Sequence, residues 1–155
     1  LAALGRTLRD DDLEPLTRMI YDQAGSLTGA AVARAHMELE RAARTVGAFF
    51  VEHDLLLTPT LARPVPPLGL LDTTNLASIR DHAALYAAMT SPYNVTGQPA
   101  ISLPLGVDAD GLPVGVQLVA AVGREDLLLR VAAQLEAARP WSIAPVWPAV
   151  GGSAA

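Results

Sequence analysis

Two apolar runs of near-equal length, AISLPLGV (100–107) and LPVGVQLVA (112–120), flank the short polar stretch DADG. No other feature constrains the chain as tightly. Runs of eight or nine residues rich in Val, Leu and Ile are strand-length, and an Asp/Gly turn sequence between them predicts an antiparallel hairpin. Gly111 is free to take the positive φ such a turn demands. Pro104 and Pro113 cannot donate to a ladder, which places each at a strand end, an edge or a bulge.

The elements around the hairpin are helical. After Asp10, Asp11 and Asp12, the segment LEPLTRMIYDQ reads as a helix with Pro15 tolerated in its first turn and Gly25 ending it. Thr28 is placed to cap a longer helix reaching about Glu52. Its apolar positions Val32, Ala35, Leu39, Ala42, Val46 and Phe49 step by three and four, the pattern of a helix lying against a core. DLLLTP (54–59) predicts a short strand buried on both faces. Pro64, Pro66 and Pro67 make the next stretch loop. Ser78 is a candidate cap for a third helix that stops before Pro92. GREDLLLRVAAQLEAA predicts a last helix with Leu127, Leu128, Val131 and Leu135 inward, and PWSIAPVWPAVGGSAA a proline-rich tail. The fold class is therefore α/β, a sheet flanked by helices. At 155 residues the chain has the length of about one domain.

Composition excludes several functions. There is no Cys, which removes disulfides and thiolate metal sites. The formal net charge is −5 and the basic residues are scattered, so nucleic acid is not an expected partner. No apolar run approaches a membrane span, so no membrane partner is expected, and a cytoplasmic location is the default. All eleven basic residues are Arg. Any mechanism requiring a lysine as base or Schiff-base former cannot be completed from this chain.

No self-contained catalytic constellation appears. His36 and Glu40 stand at i,i+4, a metal-pair spacing without a third ligand, and read as a solvated helix face. His53 lies at a helix end, where it can interact with the last carbonyls. His82 follows Asp81 with no nucleophile in register. Ser26, Ser102 and Ser153 sit in no G-x-S-x-G elbow. G-V-D-A-D-G lacks the downstream glutamate of a calcium loop. No metal and no cofactor are expected.

Three blocks in order, DLLLTPTLARPVPPLG, SPYNVTGQPAISLPLG and DGLPVGVQLVA-x-x-GREDLLLRVAAQLE, resemble the C-terminal part of the amidase signature family. The resemblance runs from about Leu55 to Glu136, and the preceding long helix fits it. It implies a mixed β-sheet flanked by helices. It also implies hydrolysis of carboxylic amide C–N bonds, without metal or cofactor, by a serine nucleophile, a second serine in a cis peptide and a lysine base. Those residues belong to the family's N-terminal part, which has no match here. Residues 1–155 are thus expected to be the C-terminal segment of a single, incomplete amidase-signature domain, and Leu1 in place of an initiating Met agrees with that expectation. The expected partners are the missing N-terminal segment, a small-molecule amide and, as a further partner, a second copy of the chain. The alternatives are a non-catalytic amidase-like subunit or binding module, or a truncated product without function.

The resemblance also implies substrate-binding positions. Counting back from Asn94, those that match the family's pocket wall are Ala84, Ala87 and Ser91. Their spacing of three and four would put them on one helical face; the alternative is that the alanines are packed core. Where amidotransferase A subunits carry an ammonium-anchoring aspartate, this chain has Ala87, which cannot hold a cation. The expectation is a small, uncharged wall that admits an apolar or aryl acyl group. Asn94, Thr96, Gly97 and Pro99 read as shaping the turn into the next strand, and Gln117 as satisfying buried backbone groups.

Overall fold

The computed structural model describes residues 6, 8–9, 12–72 and 74–141. Asp10, Asp11 and the tail beyond Trp141, with Ser153, lie outside them. In chain order the elements are α1 (Pro15–Ala24), α2 (Gly29–Glu52), β1 (Leu55–Pro59), α3 (Leu76–Tyr86), a 3-10 turn (Ala87–Met89), α4 (Ser91–Thr96), β2 (Ala100–Val107), β3 (Pro113–Ala120) and α5 (Glu125–Ala138).

The strands form a three-stranded sheet in the order β1-β3-β2. Both pairings are antiparallel, so the described part of the sheet is not itself mixed. The hairpin forms as its sequence predicts. Asp108 Oδ1 accepts from the amides of Asp110 and Leu112, and Gly111 takes φ +82°. Pro104 falls in an irregularity between Leu103 and Gly106, and Pro113 opens β3, so neither removes a needed ladder bond.

The main hydrophobic cluster lies on one face of this sheet, while Val119, fully buried, lies on the other. In the cluster Leu103, Leu118 and Ala120 are buried together with Leu128 of α5, and Leu55, Val131 and Leu135 pack against them. α5 presents the inward positions expected of it. Glu125 and Asp126 in its first turn suit the positive end of the helix dipole.

Three expectations change. The Thr28 side chain caps α2 as expected, accepting from the Ala31 amide, yet none of the helix's residues is buried. Of the predicted apolar edge only Val46 is even half-covered; Val32, Leu39 and Phe49 are exposed. The reason is that, among the described elements, α4 is its main neighbour. β1 is likewise not buried on both faces: Leu57 is 64% exposed, and among the described residues the strand pairs only with β3. Finally, α3 is capped by Asn75, whose Oδ1 accepts from the Ser78 amide, while the Ser78 hydroxyl donates to the Leu70 carbonyl. The helix ends at Tyr86, and Pro92 sits in the first turn of a new helix, where its missing N–H costs nothing.

Candidate functional site

The face of the sheet opposite α5 carries a polar seam. β1, β3 and β2 place Thr58, Gln117 and Ser102 side by side, with Thr60 and Gly115 one step further along. Gln117 is buried, 4% exposed, in the middle of the central strand. Its Nε2 donates to Thr58 Oγ1 at 3.1 Å and to the Met89 carbonyl at 2.8 Å. The backbone acceptor it satisfies is part-buried, Met89 itself being exposed, whereas the sequence context predicts a buried one.

Next to it the hydroxyls of Thr60 and Ser102 meet at 2.6 Å across the central strand. They meet because Gly115 has no side chain. A Cβ there would lie 2.8 Å from Thr60 Oγ1 and 3.0 Å from Ser102 Oγ. Sequence reading missed this pair; the available signal was the glycine inside a strand run, which marks close approach of another group.

Met89 ends the 3-10 turn that joins α3 to α4, and this junction carries the residues singled out for substrate contact. Ala84 is exposed on α3, Ala87 is half-buried as the C-cap of α3, and Ser91 is the exposed first residue of α4. They do not share the face of one helix, because the chain leaves α-helical geometry between Tyr86 and Ser91. The Ala87 carbonyl accepts from both the amide and the hydroxyl of Thr90, at 3.0 and 3.2 Å. The turn is therefore tied at both ends, internally by Thr90 and to the sheet by Gln117.

α4 delivers the chain into β2. Gly97 closes it at φ +82°, its amide bonded to the Tyr93 carbonyl at 2.9 Å. Thr96 Oγ1 bonds the Pro92 carbonyl and the buried Gln98 side chain. Thr96 and Gly97 thus shape this turn as expected. Burial pushes the Tyr93 phenol above its ordinary value, so it stays protonated at neutral pH.

A depression of about 290 Å³ lies between the loop after β1 and the hairpin, lined by Leu61, Arg63, Val65, Val114 and Gly115 among others. None of Ala84, Ala87 and Ser91 lines it. Its edge adjoins the end of α3 through the Ala62 amide, which donates to the Tyr86 carbonyl at 3.3 Å. It holds no nucleophile paired with a base.

Of the histidines, His36 is exposed on α2 and His82 is half-buried on α3, ahead of the junction. Glu40 lies 3.7 Å from Arg44, His53 packs its ring on Phe49, and no group of three or more metal-ligating side chains occurs among the described residues. No helix among them is long and apolar enough to cross a membrane.

The sheet with its flanking helices and the 3-10 turn that joins α3 to α4 define a piece of a known architecture. Residues 2–129 match the Amidase family model, and the chain belongs to that family. It is 45% identical over 146 residues to a 6-aminohexanoate-cyclic-dimer hydrolase of Pseudomonas sp. strain NK87, covering 89% of this chain and 30% of the relative. It is 41% identical over 140 residues to a putative amidase AmiC of Mycobacterium leprae, covering 90% of this chain and 30% of the relative. The solved structure of 6-aminohexanoate cyclic dimer hydrolase superimposes with a TM-score of 0.79 at 42% identity, over 90% of this chain and 31% of the other. The chain thus spans about 30% of the length of these relatives.

Proposed function

We propose that this chain is the C-terminal segment of a hydrolase that cleaves carboxylic amide C–N bonds in the cytoplasm, its serine nucleophile, second serine and lysine base being supplied by a segment N-terminal to it. The observation that carries this reading is the pairing of a 45% identical relative, three-tenths covered, with a sequence that contains no lysine. A serine hydroxyl without a base stays protonated near neutral pH and is a poor nucleophile. The chain alone is accordingly inactive.

In this reading the segment contributes pocket wall. Ala84, Ala87 and Ser91 face the acyl side of the substrate from the junction of α3 and α4, and Ala87 makes that wall small and uncharged. The reading favours neutral amides with an apolar or aryl acyl group, and disfavours free glutamine, whose ammonium would find no carboxylate at Ala87.

The test is turnover by the complete protein, with neutral amides and with glutamine as competing substrates. Release of amine or ammonia from the neutral amides, with glutamine ignored, is the expected result. Hydrolysis of glutamine with no action on neutral amides contradicts the proposed wall. Absence of a lysine and a Gly/Ser-rich serine segment from the coding sequence upstream of Leu1 removes the hydrolase reading and leaves a non-catalytic, amidase-like binding module.

A further inference from the structure

We infer that Gln117 is a positioning residue for the pocket wall, holding the 3-10 turn Ala87–Met89 against the sheet and so setting how far Ala87 stands from the substrate. This rests on the amidase reading, because it gives a function to the position of Ala87.

The two hydrogen bonds of Gln117 reach in different directions. Thr58 belongs to the neighbouring strand, 59 residues away in sequence, whereas Met89 belongs to the helical layer, 28 residues away. A primary amide carries two N–H donors on one nitrogen, so a single side chain serves both acceptors. Neither Met nor an ionised Glu, the side chains of similar length, can do so. The acceptor side also calls for such a partner. Between Tyr86 and Ser91 the α-helical ladder is interrupted, and carbonyls at a helix end are short of intrahelical donors.

Displacement at Met89 passes to Ala87 through a short, stiff path. Thr90 follows Met89 directly, and both its amide and its hydroxyl hold the Ala87 carbonyl. A part-buried acceptor that loses its donor regains a partner by turning toward water, and the turn moves with it. The Thr58 bond lies wholly within the sheet and exerts no such pull on the turn.

The experiment compares Gln117→Met and Thr58→Val in the complete protein. For each, kcat/KM is measured on a small acyl amide and on a bulky aryl acyl amide. Gln117→Met is expected to change the ratio of the two by about three- to tenfold, chiefly through KM, the effect of one lost part-buried hydrogen bond. Thr58→Val is expected to leave the ratio within about twofold, the Met89 bond being intact. An unchanged ratio in a folded Gln117→Met protein, or an equal change in both variants, overturns the inference. If Gln117→Met does not fold, Gln117→Glu takes its place. Protonated Glu regains one donor, so its substrate ratio is expected to return toward wild type as pH falls; a ratio independent of pH overturns the inference. If the unsubstituted protein turns over no amide, the amidase reading fails by itself. The clamp is then read from amide hydrogen exchange at Thr90. Exchange about tenfold faster in Gln117→Met than in Thr58→Val upholds the clamp; equal rates overturn it.

Discussion

At Gly115 the space for a side chain is already taken. The Thr60 and Ser102 hydroxyls close over the strand at 2.6 Å, and an added Cβ would come within 2.8 Å of one of them. Gly115→Ala is therefore expected to part the hydroxyls and destabilise the complete protein by about 1–3 kcal/mol, the usual cost of overpacking. Chemical denaturation checks this; a loss below a few tenths of a kcal/mol would mean that the hydroxyls give way freely. Gly97 constrains the chain differently. There is open space around its Cβ position, but φ is +82°. Gly97→Ala is expected to cost about 1–2 kcal/mol through backbone strain alone. Gly97→Asn, whose side chain tolerates left-handed backbone, is expected to cost less in the same denaturation experiment. The Asn-x-Thr-Gly-x-Pro spelling made this turn legible in the sequence. Gln117 was legible as a buried donor, but its partner was not. No local pattern says that a strand amide will meet the carbonyl of Met89, 28 residues before it.

Among the elements, α3 separates what local rules reach from what they do not. Ser78 is the expected cap, but Asn75, three residues earlier, is as good a capping residue. The structure selects Asn75, because a turn built on Asp72 brings it to the helix start: Asp72 Oδ1 accepts from the Thr74 amide and hydroxyl. Asn75→Ala is expected to cost about 1 kcal/mol. Ser78→Ala, which loses a bond to a loop carbonyl and no cap, leaves the helix start intact; amide exchange in the first turn of α3 distinguishes the two. The Thr74 hydroxyl and amide, with a weaker contribution from the Asn75 amide, hold the Asp72 carboxyl below its usual range. A carboxyl depressed on folding stabilises the fold above the ordinary Asp value and loses that contribution as pH falls through the lowered one. The Asp72 carboxyl resonance should accordingly titrate with a midpoint below about 3.9, that of an unperturbed Asp. A midpoint at or above it would mean the turn is not formed in solution. That the break falls at Ala87 was not legible, since ALYAAMT is as helical in composition as the residues before it. Pro92 requires a break ahead of it, since it has no N–H for the Ala88 carbonyl, but the tether from Gln117 to Met89 is a tertiary contact that spacing cannot register.

For the whole molecule, the mismatch between pattern and burial is itself informative. α2 has an apolar edge at helical spacing, and β1 has three successive leucines, yet α2 buries nothing and Leu57 stands 64% exposed. In the proposed reading these faces pack against the rest of the protein, in keeping with a chain that spans about 30% of its relatives. The isolated 155-residue chain is expected to bind a hydrophobic dye or self-associate through these faces and the free edge of β1. A monomer that unfolds cooperatively and binds no dye would contradict that. The central claim is that this chain supplies wall and not chemistry. Adding the separately produced upstream segment to the isolated chain, and following hydrolysis of a neutral aryl acyl amide, tests it most directly. The account predicts no hydrolysis above buffer from the chain alone and turnover that rises with added segment until the two are equimolar. Turnover by the chain alone, undiminished by further purification, would contradict it.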